Sequence, residues 1–172
     1  VLYSNDMGAS WNYTQALRVA GQFSTSESQV ATADGGKTVI ITARTQDQPI
    51  VPSAVSFRSV AVSEDGGTTW TKFEPTSIAD PTCEGSTIGH QGKYYMSSGV
   101  SRVAGRRQNV SLSVCGSACI KSGFQEWETV LTIDPGSSSY SSLAAVEPDA
   151  MLCLYEVGGG EAIKLLKLVR IK

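Results

Sequence analysis

The chain has 172 residues, of which 41% are hydrophobic and 17% charged, a balance that excludes a disordered protein, because disordered chains are poor in apolar and rich in charged residues. Its 14 Lys and Arg against 16 Asp and Glu give a net charge of -2, which argues against a general nucleic-acid binder, since such proteins carry a basic excess on one face. The sequence contains no apolar run of the roughly 18 residues that a membrane-spanning helix needs.

Short runs of β-branched and apolar residues, separated by Gly, Ser and Thr, predict an all-β chain. In chain order, residues 29–33 and 38–42 are expected to form a hairpin around a turn at 34–37, and a strand at 56–63 leads into a second turn at 64–67. Further strands are predicted at residues 93–97, 109–114, 129–133, 151–155 and 163–169. The last of these competes with a short helix, and its place in the series favours a strand.

An octapeptide of the form S-x-D-x-G-x-x-W occurs twice, with starts 59 residues apart. In such a turn the Asp binds main-chain N–H groups, the Gly adopts a positive φ, and the Trp folds back over the apolar side. The motif residues are Ser4, Asp6, Gly8 and Trp11 in the first copy and Ser63, Asp65, Gly67 and Trp70 in the second. Trp127, 57 residues beyond Trp70, marks a degenerate third copy whose turn is altered around residues 115–119.

This spacing predicts a β-propeller, because a repeat of roughly 50 to 60 residues that contains several strands is what one blade requires. The chain accounts for about three blades, whereas closed propellers have about four to eight. We therefore expect either half of a propeller or one part of an assembly.

Turns of this form at blade spacing resemble the Asp boxes of the sialidase (neuraminidase) superfamily, and further segments resemble the C-terminal half of its exo-sialidases, in the same order along the chain. These segments are S-E-S-Q-V with Glu27, T-A-R with Arg44, F-R-S-V-A-V-S with Arg58, D-P-T-C-E-G-S at 80–86, R-Q-N-V with Arg107, Y-S-S-L with Tyr140 and L-Y-E with Glu156. The resemblance implies that residues 1–172 are the C-terminal half of a six-bladed, sialidase-type propeller domain.

The resemblance also implies that Tyr140 is a nucleophile and that Glu27 is the base that takes its proton. A phenol with a pKa near 10 needs such a base, and a neutral nucleophile avoids repulsion by the carboxylate that sialic acid carries on its reacting carbon. Arg58 and Arg107 are expected to bind that carboxylate, because a guanidinium offers two parallel N–H groups. Arg106 is the main rival of Arg107, since adjacent strand residues point to opposite faces.

The cysteine and histidine content argues against a disulfide scaffold and against a metal site. Cys115 and Cys119 lie four residues apart, close enough for one local disulfide, a pairing that the sequence leaves open. Cys83 and Cys153 are expected to be buried thiols. His90, the one histidine, has no partner at ligand spacing, so neither a metal nor another cofactor is expected.

The favoured function is that of a retaining exo-α-sialidase, which releases terminal sialic acid from glycoproteins, glycolipids or oligosaccharides. The alternatives are a non-catalytic propeller that binds a glycan or a protein, and a trans-sialidase. The family's first arginine, which Glu156 is expected to support, and its acid/base Asp have no counterpart in the 172 residues, so these alone are expected to be inactive. The compartment is left open, with a slight preference for a secreted or extracellular protein.

Overall fold

The computed structural model describes residues 1–19, 24–46, 56–103, 105–158 and 162–170. Within these ranges the chain forms twelve β-strands and one helix of five residues, which confirms the all-β prediction. No helix in the described part is long and apolar enough to cross a membrane.

Each predicted strand overlaps an observed one, including the last, which is a strand and not a helix. The strands are β1 (Leu2–Tyr3), β2 (Asn12–Tyr13), β3 (Ser24–Thr32), β4 (Val39–Gln46), β5 (Phe57–Ser63), β6 (Glu74–Ala79), β7 (Ser86–His90), β8 (Lys93–Gly99), β9 (Gln108–Cys115), β10 (Glu128–Glu147), β11 (Ala150–Val157) and β12 (Ala162–Arg170). The helix α1 (Ser117–Lys121) follows β9.

The antiparallel sheets have the organisation expected of propeller blades. The first blade is the four-stranded sheet β3-β4-β5-β6, and the remaining strands form a sheet in the order β12-β11-β10-β9-β8-β7. The long strand β10 is shared, because its first half pairs with β9 and its second half with β11. It therefore ends the second blade (β7, β8, β9 and the first half of β10) and begins the third, which continues with β11 and β12. The short pair β1-β2 precedes them.

Apolar side chains fill the spaces between successive blades. One cluster, with Ile40 and Tyr94, packs the first blade against the second. Another, with Tyr95 and Met151, packs the second blade against the third. Tyr94 and Tyr95 serve different clusters because adjacent strand residues point to opposite faces. The first strands of successive blades also adjoin, since β3 contacts β7 and β7 contacts β10.

Both complete Asp boxes have the hydrogen bonds that their sequence predicts. In the second box, Ser63 Oγ accepts the Gly67 N–H at 2.8 Å and Asp65 Oδ1 accepts the Thr69 N–H at 2.8 Å. Gly67 has a φ of 97°, a region that side chains other than Gly rarely occupy. Trp70 closes the turn by donating its Nε1–H to the Gly67 carbonyl at 2.8 Å. The first box repeats the Ser and Asp bonds, with Ser4 Oγ accepting the Gly8 N–H at 2.7 Å and Asp6 Oδ1 accepting the Ser10 N–H at 2.8 Å.

The hairpin turn between β3 and β4 is a third turn of the same type. Thr32 Oγ1 accepts the Gly36 N–H at 3.0 Å, and Asp34 Oδ1 accepts the Thr38 N–H at 2.9 Å. The sequence predicted a hairpin here but not an Asp box, because Val39 stands where the motif has Trp. A Trp at the last position of the motif is therefore not required for the hydrogen bonds of the turn.

The degenerate copy before Trp127 keeps the closing contact but replaces the turn. Trp127 donates its Nε1–H to the Phe124 carbonyl at 2.8 Å, as Trp70 does in the second box. A disulfide joins Cys115, the last residue of β9, to Cys119 in the middle of α1, in the region where the other boxes use an Asp. Cys83 and Cys153 are buried free thiols, as predicted.

Candidate active site

The strand register puts the turns of the first blade and its charged side chains at opposite ends of the sheet. Val39 pairs with Ser63 beside the two box turns. Glu27 lies in the first half of β3 and Arg44 in the second half of β4, at the other end of this hairpin. Arg107 likewise precedes β9 at the end opposite α1. The site described next is therefore built away from the turns.

Tyr140 and Glu27 form a direct pair, although they are 113 residues apart in sequence. The Tyr140 hydroxyl, on β10, donates a short hydrogen bond to Glu27 Oε1 on β3, and the Tyr140 side chain is 37% exposed. This hydrogen bond raises the pKa of Tyr140, because it stabilises the protonated phenol beside a carboxylate, and desolvation adds to the shift. The structure thus joins the predicted nucleophile to the predicted base.

Glu27 is held as a carboxylate by the groups around it. Burial acts to raise its pKa, but the hydrogen bonds from Tyr140 and Arg44 outweigh it and lower the pKa. Arg44 Nη1 donates to Glu27 Oε2 at 2.7 Å, so each carboxylate oxygen has one partner. A carboxylate that is ionised near neutral pH and bonded to a phenol is able to accept the phenolic proton.

Two guanidinium groups adjoin this pair. Arg107 Cζ lies 5.9 Å from the centre of the Tyr140 ring, within the range of a cation–π contact, and its Nη2 donates to the Thr82 carbonyl at 3.1 Å. Arg44 approaches from the side of Glu27. The neighbouring Arg106 is exposed, so it is Arg107 that reaches the Tyr140 ring, as the sequence analysis favoured.

Arg58, which the sequence analysis expects to bind the substrate carboxylate, is buried and directs its hydrogen bonds to the segment 80–85 rather than to Tyr140 and Glu27. Its side chain has no exposed surface. Nη1 donates to the Cys83 carbonyl at 2.9 Å and lies 3.5 Å from Asp80 Oδ2, and Nη2 donates to the Gly85 carbonyl. A group without exposed atoms cannot meet a ligand. Arg58 instead anchors the segment 80–85 through hydrogen bonds to its main-chain carbonyls.

Arg44 is the site residue that the sequence analysis did not select. The signal was in the hairpin, because β3 and β4 pair Thr32 with Val39 and Ser28 with Ala43. Glu27 and Arg44 are the next residues on the two strands, just before a shift in the register, and their side chains meet there. The resemblance of the segment T-A-R to the family does not by itself show that Arg44 lies beside Glu27 on the neighbouring strand.

Two more carboxylates accept hydrogen bonds from the main chain at Tyr140 and Ser141. Glu156 Oε2 accepts the Tyr140 N–H at 3.3 Å, and Glu84 Oε2 accepts the Ser141 N–H at 3.3 Å. With Tyr140 they line a cleft of about 260 Å³. Clefts of about 320 and 560 Å³ lie on the side of the box turns, around Trp70, away from these groups. Among the described residues, no cluster of His, Cys, Asp or Glu has the arrangement of a metal site.

Residues 1–152 match the family described as BNR repeat-like domain. The chain belongs to this family. A comparison with curated proteins found no match. The BNR repeat-like chain is nevertheless similar to several solved structures over nearly its whole length.

The intramolecular trans-sialidase from Ruminococcus gnavus is 23% identical with a TM-score of 0.67, over 99% of this chain and 37% of that one. The sialidase from Trypanosoma rangeli is 20% identical with a TM-score of 0.66, over 98% and 26%. The NanB sialidase from Streptococcus pneumoniae is 17% identical with a TM-score of 0.69, over 98% and 26%. The chain therefore spans 26% to 37% of the length of these proteins, and its fold is that of part of a sialidase-type propeller.

Proposed function

We propose that this chain supplies part of the active site of a retaining exo-α-sialidase that acts on sialylated glycans. The observation that carries the proposal is the Tyr140–Glu27 pair, a partly exposed phenol hydrogen-bonded to a carboxylate that is itself paired with Arg44. Sialidases are the glycosidases that use a Tyr nucleophile. The likeness to a Trypanosoma rangeli sialidase that was solved with sialic acid supports the same substrate class.

In the proposed reaction, Tyr140 Oη attacks the anomeric carbon of sialic acid while Glu27 takes the phenolic proton. The bond to the leaving oxygen breaks, and that oxygen takes a proton from an acid that, by the resemblance, lies outside these 172 residues. Water then cleaves the glycosyl–tyrosine bond and Tyr140 recovers its proton, so that two inversions give net retention. Residues 1–172 by themselves are accordingly proposed not to hydrolyse a sialoside, because the missing general acid would by itself contribute about 10²–10⁴-fold to the rate.

We propose that Arg44 and Arg107, rather than Arg58, meet the substrate carboxylate. Both guanidinium groups adjoin Tyr140 and Glu27, and each is only partly occupied by the protein contacts described above. Guanidinium–carboxylate pairs are forked and stronger than contacts between neutral groups. Glu156 is proposed to support the family's first arginine, and among the described residues it has no salt bridge that would compete for this role.

The proposal is tested with the full-length protein and a fluorogenic sialoside. Tyr140→Phe should lower turnover by at least about 10²-fold, because no nucleophile remains, while sialic acid still binds in saturation-transfer NMR. Tyr13→Phe is the matched control, since Tyr13 is 84% exposed and lies on β2. Near-normal turnover in Tyr140→Phe would refute the nucleophile assignment.

The wild-type protein separates the alternatives. Binding of sialic acid without turnover would identify a glycan-binding propeller. Product analysis by NMR distinguishes free sialic acid, the product of hydrolysis, from a transferred or internally cyclised product.

A further inference from the structure

Tyr140 lies on a β-bulge. The pairing of β10 with β11 passes from Ser138 opposite Val157 to Ser141 opposite Tyr155. Three steps along β10 thus correspond to two along β11, which leaves one extra residue on the β10 side. Bulges interrupt the hydrogen-bond ladder and redirect a side chain. Here the bulge directs the phenol of Tyr140 across to Glu27 on β3.

Two main-chain N–H groups at the bulge, those of Tyr140 and Ser141, donate hydrogen bonds to carboxylate side chains. Glu156 Oε2 accepts the Tyr140 N–H, and Glu84 Oε2 accepts the Ser141 N–H, each at 3.3 Å. Ser141 is 6% exposed, and a buried N–H without a partner is costly. Its hydroxyl is also bound, to the buried Ser97 of β8, with 2.9 Å between the two Oγ atoms. One residue after the nucleophile, the chain is therefore held from two sides.

Glu84 is itself fixed by the buried Arg58. The Arg58 guanidinium donates to the carbonyls of Cys83 and Gly85, which flank Glu84 on either side. A Cβ at Gly85 would lie 2.6 Å from the Ser97 carbonyl oxygen, so only Gly allows the segment to approach β8 this closely. The Glu84 carboxylate thus starts from a rigid main chain.

The same segment supports Arg107. Its Thr82 carbonyl accepts the hydrogen bond from Arg107, and Thr82 has a φ of 60°, which is unfavourable for a β-branched residue and typical of strain kept at functional sites. The Cys83 N–H is held by Asp80 Oδ1 at 3.0 Å. One loop, residues 80–85, therefore contacts both the residue after Tyr140 and the arginine beside it.

We infer that Glu84 is a positioning residue for Tyr140: by accepting the Ser141 N–H it fixes the bulge that aims the phenol at Glu27. Its effect on rate rests on the proposed function, whereas its effect on the Tyr140–Glu27 geometry does not. Burial raises the pKa of Glu84, while the Ser141 N–H and Arg58 on β5 oppose the shift and Glu27 and Glu156 add to it. The role needs an acceptor oxygen and not a charge, so Gln should replace Glu84.

The test compares Glu84→Gln with Glu84→Met in the full-length protein, because Met has a similar size but offers no comparable acceptor. Glu84→Met should lower kcat about 10- to 100-fold with KM within about twofold, since a misplacement of about 1 Å costs up to about 10²-fold. Glu84→Gln should stay within about threefold of wild type. Glu128→Ala, at the exposed start of β10, is the control. Normal kcat in Glu84→Met, or equal losses in both variants, would overturn the inference.

A second measurement needs no turnover. Tyrosine labelled with ¹³C at Cζ reports the pKa of Tyr140, assigned by Tyr140→Phe, and Glu84→Met should lower it toward about 10 as the contact with Glu27 is lost, while Glu84→Gln should not. An unchanged pKa in Glu84→Met would overturn the inference. If the wild-type protein cleaves no sialoside, the proposed function fails and this pKa still decides the role of Glu84. Should Glu84→Met not fold, Glu84→Ala takes its place in both measurements.

Discussion

Replacement of Arg58 by Met should lower the free energy of unfolding by about 3–5 kcal/mol, the usual cost of removing one partner of a buried ion pair. Arg58 has no exposed surface, Asp80 is 2% exposed, and the pair is 3.5 Å apart. Met fills most of the volume, so the loss is that of the charge and of the hydrogen bonds to two main-chain carbonyls. If Arg58 instead bound substrate, the same change would affect KM and not stability.

The pH dependence of this variant gives an internal check. Burial already raises the pKa of Asp80 above its ordinary value of 3.8, against the opposing charge of Arg58, and removal of that charge should raise it further. A carboxyl whose folded pKa is raised contributes stability that is present below its unfolded pKa and is lost as the pH rises through the folded pKa. The free energy of unfolding of Arg58→Met should therefore be closest to that of the wild type at acidic pH. Adding Asp80→Asn to Arg58→Met should recover part of the lost stability at neutral pH.

Urea denaturation of the full-length protein, followed by tryptophan fluorescence, measures the effect at pH 4 and pH 7. Arg107→Met is the control, because its partly exposed side chain makes one hydrogen bond to a carbonyl and should cost about 1 kcal/mol or less. Equal urea midpoints for Arg58→Met and wild type, together with a raised KM for a sialoside, would refute the structural role of Arg58.

Three further changes test the turns. Hydrogen bonds from Thr69 lower the pKa of Asp65 to about 2, so the stability it contributes above its ordinary value of 3.8 should be lost between pH 3.8 and about 2, and Asp65→Ala should flatten that part of a melting-temperature profile. Cys119→Ser should cost about 2 kcal/mol, the entropy of so short a loop, and a reductant should then have no further effect on the melting temperature. Trp127→Phe should cost about 1 kcal/mol by removing its Nε1–H bond, whereas Trp11→Phe, at a Trp that is 58% exposed, should cost less in the same assay.

The strands and box turns could be predicted from sequence because their causes are local. A β-branched run bounded by Gly fixes a strand within a few residues. The hydrogen bonds that shape the second box join residues between Ser63 and Trp70, so the octapeptide contains the determinants of the turn. The turn at 32–38 was recognised as a hairpin for the same reason.

Apart from the two-residue strands β1 and β2, the strands that the sequence did not predict are β6 and β7, whose sequence signals are weak. β6 (Glu74–Ala79) begins with Glu and Pro and pairs with β5 through an irregular register, which a propensity argument does not favour. β7 (Ser86–His90) is short and contains Gly89, where a Cβ would lie 1.9 Å from the Thr32 carbonyl oxygen. That contact is between blades, so its reason becomes visible only in the folded chain.

A long-range contact also explains why Arg44, and not the predicted Arg58, lies beside Glu27. Both arginines lie near the site end of the first blade, and each has a motif that resembles the family. The segment 80–85, more than 20 residues away in sequence, covers Arg58 completely, whereas Arg44 keeps a small accessible surface beside Glu27. No pattern within β4 or β5 contains that information.

This division between local turns and long-range contacts bears on how mutations should sort. The box turns are shaped by bonds inside one octapeptide, and the Gly66 N–H of the second box also reaches the Lys37 carbonyl of the neighbouring turn. A change at Asp65 should therefore act at the turn end of the blade. The Tyr140–Glu27 pair joins β10 to β3 across 113 residues, and its geometry depends on the packing of β3 on β7 and of β7 on β10. Substitutions in the boxes should therefore change the melting temperature with unchanged kcat. Substitutions that remove the contacts of the loop 80–85 should change kcat, because this loop connects the buried Arg58 to Arg107 and to the bulge at Tyr140.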